Sequence, residues 1–124
     1  MVVLGVEGRR LAVEAIATLV HVKHAMGELL LKPAGVPPDA YRPHLYRRDE
    51  TTGKKLSKRQ IAPLIIKALE SLPDFYRILR AIIEITANWT SFHLADDEFA
   101  ARATVQKARE LLGTLEVMEA REAK

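Results

Sequence analysis

Residues 73–93 read PDFYRILRAIIEITANWTSFH. Phe75, Ile78, Leu79, Ile82, Ile85, Thr86 and Trp89 recur at the three- and four-residue steps that put side chains on one face of a helix. Pro73 suits a helix start, because a first-turn proline loses no hydrogen bond. Arg80 and Glu84, one turn apart, can pair on the outer face. The spacing predicts a central helix over about 74–93, ending near His93.

The same period extends both ways. Upstream, Ser57 and Gln60 stand at the two positions of a capping box, with Leu56 and Ile61 at the staple positions around it. A second helix over about 57–71 follows, with Leu64, Ile65, Ala68 and Leu69 turned inward. Pro63 interrupts it with an expected kink or restart, since its ring clashes with the preceding turn.

Downstream, Asp96, Asp97 and Glu98 favour the positive end of a helix dipole. Ala101, Val105, Ala108, Leu111, Leu112, Leu115 and Met118 continue as a stripe over about 96–119, with fraying expected beyond Glu119. Near the start, Leu11, Ala12, Ala15, Leu19, Val22, Met26, Leu29 and Leu30 share a broad face, widened by Ile16 and Val20. They predict a long first helix over about 7–31. Pro33 and Gly35 stop it, and Pro37-Pro38 prevents its resumption. Strand-like alternation is absent. The expected fold is all-α, an up-down-like four-helix bundle forming one domain over 1–124.

A connector of over twenty residues, about 33–56, separates the first two helices. Loops of this length are functional, mobile, or hide a short helix. Thr51-Thr52-Gly53-Lys54 reads as a turn inside it.

The chain has 124 residues and a net charge of +3, unevenly distributed. From Arg42 to Arg59 there are seven cations (Arg42, Arg47, Arg48, Lys54, Lys55, Lys58 and Arg59) against Asp49 and Glu50, a net +5. Elsewhere twelve Lys and Arg face fourteen Asp and Glu, a net −2. An anionic partner is expected at the basic segment. Its cations suit phosphates, and Tyr41 and Tyr46 suit stacking on bases. Arg47, Arg48, Lys54, Lys55, Lys58 and Arg59 are the candidate nucleic-acid contacts. The alternative is a solvated loop.

Other chemistry is sparse. There are no cysteines, which removes disulfides, thiolate metal sites and thiol nucleophiles. No apolar run approaches the roughly 18 residues of a membrane span, and the start lacks a signal-peptide pattern. A cytoplasmic protein without membrane contact is expected. His21, His24 and Glu28 lie on one side of the first helix, but no fourth ligand stands at recognisable spacing. They read as a polar face, and no metal or cofactor is expected. His93 beside Asn88, Thr90 and Ser91 suits either a general acid or base, or a cap on the last carbonyls of its helix. Thr-Gly-Lys at 52–54 lacks the glycine spacing of a phosphate-binding loop.

The segment Ile82–Leu115 resembles the HEPN family of small helical bundles. A buried helix there ends in Ala87-Asn88, then His93, an acidic turn and an alanine-rich last helix. The first helix is similar in length and character to that family's opening helix. The resemblance implies homodimers that either cleave RNA without metal or bind without cutting, in toxin–antitoxin and phage-defence systems. It makes His93 and Asn88 the candidate catalytic residues. Ala87 stands where the family carries its motif arginine, which implies a degenerate member with reduced or absent ribonuclease activity. The competing reading is a non-catalytic adaptor or assembly subunit, for which the wide apolar arc of the first helix supplies a face.

Overall fold

The computed structural model describes residues 2–122, with side chains from Leu4 onward. The elements in order are α1 (Val2–Thr18), α2 (Lys23–Met26) running into a π turn (Gly27–Leu31), α3 (Pro38–Leu45), α4 (Lys58–Glu70), α5 (Phe75–Ala87), a 3-10 turn (Phe92–Leu94) and α6 (Glu98–Glu122). The all-helical expectation holds. The count of four does not: there are six α-helices among the described residues.

Helix α1 is the hub, packing against α4, α5 and α6, while α5 and α6 also pack together. Leu11, Ala12, Ala15, Ile16 and Leu19 meet Ile61, Ile65, Leu69, Ile78, Leu79, Ile82, Ala101, Val105 and Ala108 in one core. Ion pairs frame it at the surface. Arg9 reaches Glu70 at 3.0 Å and Arg59 reaches Glu14 at 2.8 Å, both between α1 and α4. Arg80 reaches Glu84 at 3.2 Å, as its spacing suggests, and Glu119 of α6 at 2.8 Å.

The single helix expected over 7–31 is two pieces. Helix α1 stops at Thr18, whose hydroxyl donates to the Glu14 carbonyl at 2.7 Å and meets Thr104 Oγ1 at 2.9 Å. No glycine or proline marks this break. A helix that stops leaves backbone groups unpaired, and distant residues take them up. The His21 amide donates to the Leu94 carbonyl at 2.8 Å, and Lys58 Nζ donates to the Val20 carbonyl at 2.8 Å. The break and the π turn rotate the following side chains. Val22 and Leu29, inward by a 3.6-residue period, are exposed, while Leu31 is buried.

Gly27 explains the close approach of α3. An added Cβ there would lie 2.7 Å from Tyr41 Cε2, and the Tyr41 ring is fully buried. Gly27→Ala is therefore expected to destabilise by about 1–3 kcal/mol through overpacking. Gly113→Ala in α6, with open space around the new methyl, should stabilise by up to about 1 kcal/mol. Thermal melting of the two variants checks both signs.

The long connector hides a helix. Pro38 opens α3, with Tyr41 and Leu45 one turn apart and buried. The expected capping box forms: Ser57 Oγ accepts from the Gln60 amide at 3.2 Å, and Gln60 Oε1 accepts from the Ser57 amide at 2.8 Å. Helix α4 then runs through Pro63 without a restart. Pro63 lies in the second turn and is exposed, so its ring faces solvent and only one helical bond is forgone.

The central helix ends six residues earlier than its pattern implies. Asn88 Nδ2 donates to the Glu84 carbonyl at 2.9 Å, and Arg109 Nε of α6 donates to the Ala87 carbonyl at 3.0 Å. These bonds close the last turn of α5. Asp97 Oδ1 accepts from the Ala100 amide at 3.1 Å and starts α6. That helix continues past Glu119 to Glu122; residues 123 and 124, where further fraying would fall, lie outside the described residues. Among the described residues, no helix is long and apolar enough to cross a membrane.

Candidate nucleic-acid interface

Residues 46–56, between α3 and α4, form an ordered turn. The Asp49 amide donates to the Lys54 carbonyl at 2.8 Å and the Leu56 amide to the Arg47 carbonyl at 2.9 Å, pairing Arg48 opposite Lys55. Asp49 Oδ1 accepts from the Thr51 and Thr52 amides at 2.8 and 2.9 Å. An aspartate in this position mimics a backbone turn. Gly53, with φ +71°, reverses the chain, in the left-handed region where a side chain is disfavoured.

The six candidate cations divide. Arg47, Arg48, Lys54 and Lys55 are exposed on this turn, and none makes an ion pair among the described residues. Arg48 Nη1 donates to the Gly53 carbonyl at 2.9 Å, which steadies its guanidinium without neutralising it. Arg47 Nη1 lies 3.4 Å from His44 Nδ1. Burial, helped by the Arg47 charge, holds the His44 imidazole below its ordinary pKa, so it adds little charge at neutral pH.

Lys58 and Arg59 belong to the fold instead. The Lys58 side chain is only 11 % exposed, with Nζ 3.9 Å from Asp96 as well as bonded to Val20. Burial pushes its ammonium below the usual lysine range, and Asp96 works in the opposite direction. Arg59 is bidentate on Glu14. Arg42, also in the basic segment, lies 3.6 Å from Glu28.

Lys23 joins the patch from outside the segment. Its Nζ donates to the Leu56 carbonyl at the foot of the turn. Its pKa is lowered by burial and by the neighbouring Lys55 charge. Thirty-two residues separate it from Lys55, so no local pattern could have revealed it.

The histidines part company. His21 lies in the break after α1, with Nδ1 3.4 Å from Asp96 Oδ2. Asp96 loses some stabilisation to burial, yet Lys58 and His21 hold its carboxyl below the ordinary range. Glu28 faces Lys32 and Arg42. No three His, Asp or Glu side chains converge as a metal site among the described residues; His21 and His24 are exposed and Glu28 is partly so.

His93 is exposed on the 3-10 turn. It does not cap α5, which ends at Ala87. Asn88 lines a cleft of about 570 Å3 with Pro33, Glu84, Trp89 and Ser91, and His93 is not part of that lining. The structure therefore does not assemble Asn88 and His93 into one pocket. An arginine does stand near Asn88 in space: Arg109, reaching the Ala87 carbonyl from α6. Residues 21–23 touch both the foot of the basic turn and the His93 segment. Lys23 bonds to Leu56, and His21 bonds to Leu94.

The order of the turn is expected to depend on pH. The Thr52 and Thr51 amides hold the Asp49 carboxyl below its ordinary pKa. A carboxylate whose folded pKa is depressed contributes stability above its unfolded pKa and loses it as pH falls through the folded one. Order at Thr51–Gly53 should be full above about pH 5 and fade below about pH 3.9. Amide NMR signals of Thr51 and Thr52, followed against pH, read this directly.

No known protein family matches the chain, and no curated protein or solved structure does.

Proposed function

We propose that the chain is a HEPN-like helical domain that contacts RNA through the turn at residues 46–56. The observation that carries this reading is the separation of its charges. Arg42, Lys58 and Arg59 face the chain's own carboxylates, while Arg47, Arg48, Lys54 and Lys55 remain exposed together without one among the described residues. Four cations held on one ordered turn match the backbone of a nucleic acid, whose charges are regularly spaced.

Ala87 in the family's arginine position favours a binding module over a nuclease, of the kind used in toxin–antitoxin or phage-defence systems in the cytoplasm. If cleavage is retained, it is metal-independent, with exposed His93 as the general acid or base; Asn88, bonded to the Glu84 carbonyl, would join it only after rearrangement. The experiment is a salt titration. Four phosphate contacts on a single strand correspond to a slope of about −3 in log affinity against log salt. A slope near zero would remove the electrostatic basis.

A second reading rests on a groove of about 930 Å3 between α1, α4 and α6, floored by Leu11, Val13, Pro63, Ile66 and Leu111. Its rim carries both signs, with Arg9, Arg10, Lys67 and Lys107 against Glu7, Glu14, Glu70 and Glu110. A mixed rim suits a self-complementary contact between two copies. Light scattering that gives twice the monomer mass, lost on Leu111→Glu, would favour assembly as the function.

A further inference from the structure

The two tyrosines of the basic segment point to the form of RNA. Tyr41 is 1 % exposed, packed among core residues and over Gly27. It is unable to meet a ligand. Tyr46 is 54 % exposed and caps the end of α3. Arg47 and Arg48 follow it directly, and Lys55 Nζ lies 5.8 Å from its ring centroid.

Two features keep the ring near the cations. Its backbone amide donates to the His44 carbonyl at the end of α3, and the next residue is tied across the turn to Leu56. A separation of 5.8 Å is near the outer limit of a cation–π contact, so Lys55 can turn to a phosphate at little cost.

A duplex keeps its bases stacked on one another and offers phosphates and groove edges. A single strand offers unstacked π-faces as well, and every base has one. An exposed ring among unpaired cations gains from the second kind of partner and little from the first.

We propose that the turn takes single-stranded RNA, with one base stacked on Tyr46 and adjacent phosphates on Arg47, Arg48, Lys54 and Lys55. This rests on the reading of the turn as an RNA contact and specifies which RNA it takes. Recognition of this kind tolerates any base, because stacking does not read hydrogen-bonding edges.

The test uses the full chain with two probes of similar length, a twelve-residue oligouridine (on the order of one binding site) and a perfect RNA duplex. Fluorescence anisotropy follows both across a salt series. Wild type should prefer the single strand. Tyr46→Ala should weaken oligouridine binding about tenfold with an unchanged salt slope and unchanged duplex affinity, while Tyr46→Phe keeps wild-type affinity. Tyr46 ring protons should shift upfield in NMR spectra on binding. Salt-sensitive binding of oligouridine that Tyr46→Ala leaves intact overturns the stacking proposal and spares the electrostatic reading. Tighter binding of the duplex does the same. Failure of wild type to bind either probe overturns both.

Discussion

Reversing Arg47, Arg48, Lys54 and Lys55 to glutamate together is expected to lower affinity for an RNA oligonucleotide about a hundredfold or more at about 50 mM salt. The four cations are exposed, lie on one turn, and face no carboxylate within ion-pair distance among the described residues. Their attraction is therefore available to an external anion. Each neutralised phosphate releases counterions, and four contacts on a single strand correspond to the third-power salt dependence given above. Reversal removes those contacts and adds repulsion.

The fold should be untouched. Surface substitutions away from caps and buried pairs shift stability by about 0.5 kcal/mol or less. Two bonds temper this: Arg48 donates to Gly53 and Arg47 meets His44, so circular dichroism and melting belong beside the affinity measurement. Reversal of Lys67 and Lys107, on the groove between α1, α4 and α6, is the charge-matched control for reversing Lys54 and Lys55 alone, and should leave RNA affinity near wild type. Equal losses from both sets would reduce the effect to net charge and sink the claim for the turn.

Lys58→Glu is expected to do the opposite, lowering stability by about 3 kcal/mol, which for a chain of this size corresponds to a melting shift of about 10 °C. The ammonium lies beneath the break between α1 and α2, donating to the Val20 carbonyl at 2.8 Å with Asp96 at 3.9 Å. A glutamate there leaves that carbonyl without its donor, places a carboxylate beside Asp96, and hides the new charge from water. Lys58→Met keeps the buried stem and removes the charge. It should cost about 1–2 kcal/mol, chiefly for the unpaired carbonyl. Lys58→Glu that melts like wild type yet loses RNA binding would return this residue to the interface.

These two expectations show where the local pattern carries meaning and where it stops. The alternation of apolar residues along 75–89 marked a buried helix, and six of its seven inward positions are buried, Ile85 alone being partly exposed. Ser57 and Gln60 marked a helix start that the structure reproduces bond for bond. Such signals operate within one or two turns, so the sequence near them is sufficient. The break after Thr18 has no such marker. It exists because Leu94, Lys58 and Thr104, 73, 38 and 86 residues from their partners His21, Val20 and Thr18, meet the groups there.

The candidate site divides in the same way. Clustered positive charge was legible from composition along the chain. Which cations are free was not, because Arg59 finds Glu14 and Lys58 finds Asp96 only after α1 and α4 have packed and the α6 entry has closed beneath them. The distinction between Tyr41 and Tyr46 is likewise one of packing, since one ring fills the space left by Gly27 and the other is exposed beside a lysine.

By itself, the sequence determined helical content, the capped start of α4, the acidic entry to α6 and a basic stretch between Arg42 and Arg59. These depend on neighbours within a few residues, through periodicity, capping and local charge density. Tertiary structure alone decided that the first helix divides, that α1 becomes the hub, and that four of the six candidate cations face no carboxylate among the described residues. Those outcomes depend on pairing between groups dozens of residues apart, and such pairings exist only once burial has brought the helices together.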